Sequence, residues 1–234
     1  MTAQPIIEVL KKNSDHFHPV VTFDASKDKL MALDFTINNK EISADILDHT
    51  NEFVDYINGK LNKAEAKFGI GGYAEHRTVY SRSKVFDGKD PGEESRRLHL
   101  GIDIWGKPHT AVMSPLNGIV HSFAFNDNFG DYGTTIILSH QLEGVSFYTL
   151  YGHLSLNDIK NLNGGERIEK GEIFAEFGIP IENGHWPPHL HFQIIIDLEN
   201  WSGDYPGVCK YSEREKYLAN CPDPDIILQM NKYL

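Results

Sequence analysis

The sequence predicts an α+β domain, mainly antiparallel β, with an N-terminal helix-containing segment. Three observations carry this. Ile46, Phe53, Ile57 and Leu61 recur at helical spacing in the first third of the chain. From about residue 76 the period shortens, and short apolar runs rich in β-formers follow one another. Gly/Asn turn signals punctuate those runs, which indicates hairpins and not βαβ winding.

Taken in order, residues 1–75 read as an α/β extension. Ile6, Ile7 and Leu10 suggest a short amphipathic helix. Val20–Phe23 and Leu33–Ile37 read as a strand pair around the polar turn at residues 24–28. One long helix is expected from Ser43, as N-cap, to Ala66. Residues 76–200 read as the β core. Its strands are expected at 111–113, 118–120, 134–138, 145–150, 173–177 and 189–196, separated by Pro115–Gly118, Asn128–Gly130, Asn163–Gly165 and Asn183-Gly184. Residues 201–234 read as a tail packing on the core, with one short helix near Ile226–Met230.

The bulk properties narrow the function. The chain has 234 residues, 40% hydrophobic and 24% charged, which suits a globular protein with a sizeable core. Its net charge of −11 lacks the basic footprint of a nucleic-acid binder. Cys209 and Cys221 do not form a C-x-x-C pair, so they read as reduced, partly buried thiols. No stretch approaches the roughly 18 apolar residues of a membrane span. The longest apolar run near the N-terminus, Pro5-Ile6-Ile7, is too short for a secretory signal. A cytoplasmic setting is the expectation, and a trimmed N-terminus would allow an extracytoplasmic one.

Chemistry concentrates in three short motifs. In Arg97-Leu98-His99-Leu100-Gly101-Ile102-Asp103, His99 and Asp103 are i and i+4. They share a face on a helix, but on a straight strand they would lie about 13 Å apart. Gly101 between them permits a tight bend. In His189-Leu190-His191-Phe192, a strand puts both imidazoles side by side, with Leu190, Phe192 and Ile194 on the buried face. His153 ends an expected strand in Tyr151-Gly152-His153-Leu154-Ser155. A catalytic zinc takes three nitrogen or oxygen ligands and keeps one position for water. One H-x-x-x-D plus one histidine of H-x-H supplies such a set and leaves an imidazole beside it to carry protons.

With those three motifs in that order, the sequence resembles the lysostaphin/LytM-type zinc metallopeptidases, a family of peptidoglycan endopeptidases. Val112–Val120 and Ile168–Ile173 also match, so the likeness covers about residues 95–197. The resemblance implies a LytM/lysostaphin-like β-sheet core, the duplicated hybrid motif. It implies one Zn²⁺ per chain, with His99, Asp103 and His191 as metal ligands and His153 and His189 as catalytic histidines. It further implies hydrolysis of peptide bonds in a peptide or peptidoglycan-fragment substrate. The loop Ile179–Pro188 is bulkier than the family's usual small loop, which makes Trp186 a candidate for the specificity pocket; His185 reads as an exposed loop residue. Arg97 and Tyr80 are candidate substrate anchors. The flanks Gly71–Arg77, Asp204–Val208 and Cys221–Pro224 are similar to a peptidase-like module sometimes embedded in large chains with kinase-like and aminotransferase domains. Three competing readings are a zinc hydrolase of small intracellular peptides, a non-catalytic binding or activator module of the same fold, and a carrier-like sandwich suggested by Gly171–Gly178. The last has no lysine suitably placed at a hairpin tip. The oligomeric state stays open.

Overall fold

The computed structural model describes residues 3–234; Met1 and Thr2 of the N-terminal segment lie outside them. In chain order the elements are α1 (Ala3–Lys12), β1 (Leu30–Leu33), α2 (Ala44–Asp48), α3 (Thr50–Ala64), β2 (Phe68–Gly71), β3 (Leu98–His99) and β4 (Ile102–Trp105). There follow β5 (Ala111–Met113), β6 (Gly118–Asn126), β7 (Gly133–Leu142), β8 (Val145–Leu154), β9 (Arg167–Ile168), β10 (Ile173–Glu176), β11 (His189–Ile195), β12 (Val208–Cys209), α4 (Arg214–Asn220) and α5 (Asp225–Leu228). Eight strands form one sheet in the order β1-β2-β4-β11-β8-β7-β6-β9. Every neighbouring pair is antiparallel except β1 with β2. The mainly antiparallel α+β class read from the sequence is therefore the class observed.

Alternation explains how the sheet is used. On β4 and β11 the residues Ile102, Ile104, Leu190, Phe192 and Ile194 face one way, into a core shared with Ile6 and Leu10 of α1 and Ile227 and Leu228 of α5. The opposite side carries Asp103 and Trp105 on β4 and His189, His191 and Gln193 on β11. There α3 supplies Phe53, Ile57 and Leu61, which pack with Trp105 and Trp186. The β7–β8 hairpin closes through Glu143-Gly144, both at positive φ (48° and 83°), the conformation a two-residue hairpin favours.

Two expected elements differ. The helix beginning at Ser43 does form, and the Ser43 side chain accepts from the Ile46 N–H, but it breaks at His49 into α2 and α3. His49 Nδ1 takes the Asp45 carbonyl at 3.0 Å, the acceptor that the main-chain N–H of residue 49 would use in a continuous helix. Val20–Phe23 and Leu33–Ile37 do not pair. Val20 O instead accepts from Met113 N, and Leu30–Leu33 runs parallel to Phe68–Gly71. The parallel partner lies nearly forty residues downstream, beyond the reach of a hairpin argument. No helix of the described residues is long and apolar enough to cross a membrane.

Candidate metal centre

The site is built on one row of the sheet. Gly71 of β2 pairs with Asp103 of β4, Asp103 with His191 of β11, and His191 with Gly152 of β8. The carboxylate and imidazole are thus cross-strand neighbours on one face, and the row is flanked by glycines that make room for their supports. A Cβ on Gly152 would lie 2.5 Å from the Tyr132 ring, and one on Gly71 would lie 2.8 Å from the Arg77 guanidinium.

His99 joins from outside this sheet. It ends the short strand β3, which pairs with β12 (Val208↔His99), and the chain bends through Leu100-Gly101 into β4. The bend resolves the strand-spacing difficulty of an i, i+4 pair. Gly101 is needed there for a different reason from conformational freedom, because it does not take the left-handed conformation. The His191 ring lies on it: a Cβ at residue 101 would sit 2.5 Å from His191 Cε1 and 2.6 Å from Nε2. We therefore expect Gly101→Ala to displace His191 and weaken metal binding by roughly 10-fold or more. Competition titration of the variant with zinc checks this, with circular dichroism confirming that the fold survives.

Three atoms converge. His99 Nε2 and His191 Nδ1 are 2.9 Å apart, His191 Nδ1 and Asp103 Oδ1 3.1 Å, and His99 Nε2 and Asp103 Oδ1 3.2 Å. Ligands at about 2.0–2.1 Å from a tetrahedral ion lie about 3.3 Å from one another, so this triangle has nearly the required size. Among the described residues this is the one group of three or more His, Cys, Asp or Glu side chains close enough to share an ion.

The outward-facing atoms of all three are already engaged, which leaves the converging atoms free. His99 Nδ1 donates to Gly72 O (2.9 Å). His191 Nε2 donates to Gln193 Oε1 (2.9 Å), with the Tyr132 hydroxyl 3.3 Å away. Gln193 is itself oriented, since its Nε2 donates to Pro206 O and Cys221 Sγ (both 3.2 Å). Asp103 Oδ2 accepts from Arg77 Nη1 at 2.5 Å. This arrangement fixes both imidazole tautomers as metal ligation requires. The donor set fits a divalent ion such as zinc: two nitrogens and one oxygen, all held.

Electrostatics agree. Burial, reinforced by the Arg77 charge, pushes the His99 imidazole down to about 3. Burial alone would raise the Asp103 carboxyl, but the neighbouring His99 and Arg77, with the His191 and His99 rings within hydrogen-bonding distance, hold it well below its ordinary range. His99 and Asp103 are thus a neutral imidazole and a carboxylate, the forms that can bind a metal.

His153 and His189 lie beside the triangle. Their rings are 4.1 Å apart, and the His153 ring is 6.4 Å from that of His191. His189 stacks on Trp105 (3.8 Å, 10°), and its Nδ1 donates to Pro187 O at 2.8 Å. His153 Nδ1 donates to Asn183 O at 2.8 Å. His153 sits at φ +65°, an uncommon conformation for a non-glycine residue, held by bonds from its own N–H to Tyr132 O and from Gly178 N–H to its carbonyl. Burial pushes His189 down to about 4 and His153 well below its ordinary value.

These groups open into one pocket whose walls include Tyr80, Tyr132, Trp186, Asp131 and Asp204. Trp186, the candidate for the specificity pocket, is buried in that wall with its ring 6.3 Å from both the His153 and His189 rings. His185 is half-buried and stacks on Phe129. Tyr80 lines the pocket, whereas Arg97 is paired with Asp87 (2.8 Å). Sequence reasoning did not single out Gln193 or Tyr132. Gln193 was findable, because it is polar and shares the parity of His189 and His191 on one strand. Tyr132 carries no such signal.

Residues 97–202 match the family model described as peptidase family M23. The L-Ala--D-Glu endopeptidase of Bacillus subtilis (strain 168) is 30% identical over 169 residues, covering 68% of this chain and 49% of that one. The chain thus spans about half the length of the curated relative it matches. Among solved structures, the lysostaphin catalytic domain from Staphylococcus simulans is 22% identical, over 51% of this chain and 80% of that one, with a TM-score of 0.37. A zinc containing peptidase from Vibrio cholerae is 24% identical, over 47% and 30%, with a TM-score of 0.35.

Proposed function

We propose that the chain, whose residues 97–202 match the model of peptidase family M23, is a zinc metalloendopeptidase that hydrolyses peptide bonds in peptidoglycan-type peptides. The observation that carries this reading is the triangle of His99, Asp103 and His191 with two further imidazoles, His153 and His189, packed against it. The endopeptidase relative supports the substrate class. His99 Nε2, Asp103 Oδ1 and His191 Nδ1 would hold the ion. Bound zinc supplies Lewis acidity, which acidifies water and polarises a scissile carbonyl.

The chain's own residues do the rest. Pro187 O and Asn183 O hold the Nδ1–H of His189 and His153, leaving each Nε2 as the proton-carrying atom. One of the pair accepts the proton of the attacking water. The other, once protonated, steadies the developing oxyanion or gives its proton to the leaving amine. Trp186 and Tyr80 wall the pocket, exclude bulk water and limit which side chains enter.

The test is cleavage. Zinc-loaded protein should cut cross-linked muropeptides, with the scissile bond read by mass spectrometry; chelation should abolish the activity and added zinc restore it. Fully zinc-loaded protein that cuts neither muropeptides nor a broad peptide library would overturn the enzyme reading. Cleavage of library peptides alone would overturn the substrate class.

A further inference from the structure

The segment Gly72–Arg77 precedes the family-matched residues, yet it forms the back wall of the metal centre. Arg77 is 1% exposed, and its guanidinium reaches four partners. Nε donates to Glu75 Oε2 (2.7 Å), Nη1 to Asp103 Oδ2 (2.5 Å) and to the Tyr80 hydroxyl (3.2 Å), and Nη2 to Gly72 O (3.1 Å). Gly72 O is the same carbonyl that receives the His99 ring. Two main-chain bonds, Ala74 N to His99 O and His99 N to Glu75 O (both 3.0 Å), clip the segment to β3.

We propose that Arg77, held by Glu75, is a positioning residue that completes the metal centre from outside the family domain. It occupies Oδ2 of Asp103, so that only Oδ1 is offered to the ion, and it shares the Gly72 carbonyl that orients His99. This rests on the zinc reading above.

A guanidinium beside a metal ligand has two opposed effects. It fixes the carboxylate, and its positive charge repels a divalent cation. Glu75 decides the balance. Its carboxylate lies against the far edge of the same guanidinium (2.7 Å to Nε), so it offsets much of that charge and the fork acts mainly through geometry. A planar five-donor fork can serve Asp103, Glu75, Tyr80 and Gly72 together, which a lysine cannot.

The two residues consequently predict different signatures. Apo-protein prepared by chelation is titrated with Zn²⁺ by competition and with Co²⁺ by visible absorption. Arg77→Met should weaken zinc binding by roughly 10–100-fold, the usual cost of losing such a support. It should also weaken the cobalt band, because Asp103 is freed to bind through both oxygens and the coordination number rises. Arg77→Lys should recover most of the cobalt band, since one ammonium can still hold Oδ2. Glu75→Gln should weaken zinc binding while leaving the cobalt band as in the parent, because it exposes the Arg77 charge without freeing Oδ2. Wild-type affinity and an unchanged cobalt band in folded Arg77→Met would overturn the proposal. If Arg77→Met does not fold, unchanged zinc affinity in Glu75→Gln overturns it instead. A parent chain that binds neither ion would defeat the underlying zinc reading and is recognised before any variant is made.

Discussion

Asp103→Ala should purify without zinc and should unfold more easily than the parent even when both are compared in chelator. The first effect follows from removing one of the three proposed ligands: a two-imidazole remnant lacks the charge and the geometry of a zinc site. The second follows from what is left behind. Asp103 and Arg77 are both buried, and deleting one partner of a buried ion pair costs about 3–5 kcal/mol, because the other charge stays desolvated and unpaired. Glu75 still holds Nε of Arg77, so the lower end, about 3 kcal/mol, is expected. Asp103→Asn separates the two effects. Its amide oxygen can still accept from Arg77 but restores no charge, so the chain should lose less stability than Asp103→Ala, yet a neutral amide is a poor zinc ligand and the metal should be lost. Elemental analysis reads zinc per chain, and urea unfolding in chelator reads stability. Stoichiometric zinc in Asp103→Ala would remove the ligand assignment.

How much of this centre was legible depended on how local its signals are. The strand His189–Ile195 was readable from alternation alone, and alternation correctly puts Leu190, Phe192 and Ile194 opposite the histidines. His99 and Asp103 were readable as a pair, but the reason for Gly101 was not. Nothing within seven residues announces that an imidazole from residue 191 will lie against it. Arg77 is the extreme case. Its meaning depends on a carboxylate 26 residues away and a carbonyl five residues back, contacts that only the tertiary fold creates. The fold divides the same way. Both strands of the β7–β8 hairpin were readable as β-rich runs, although its Glu143-Gly144 turn was not among the turn signals, whereas the parallel β1–β2 pair depends on an intervening helical segment and escapes such reading. The break at His49 lies between: the side chain able to steal a helical acceptor is visible in the sequence, but its choice to do so is not.

The second large effect concerns the two histidines that are not ligands. His153→Ala and His189→Ala should each retain one zinc per chain while kcat falls by about 10²–10⁴, the range for removing a positioned acid or base. Metal retention is expected because the orienting bonds of the ligands run to Gly72, Gln193 and Arg77, none of which involves residue 153 or 189. The loss should fall on kcat more than on KM. The pocket walls remain, and what disappears is a proton transfer needed only on the way to the transition state. His189→Ala also leaves Trp105 without its stacked partner; His189→Gln, which keeps a polar side chain of similar reach, controls for movement of the indole. The double variant should fall no further than a single decade below the weaker single, since two groups that serve one proton path act as a unit. A double variant that turns over at the parental rate with zinc bound would show that neither imidazole carries the proton, and the chemistry would then have to be assigned to another wall of the pocket, beginning with Tyr80.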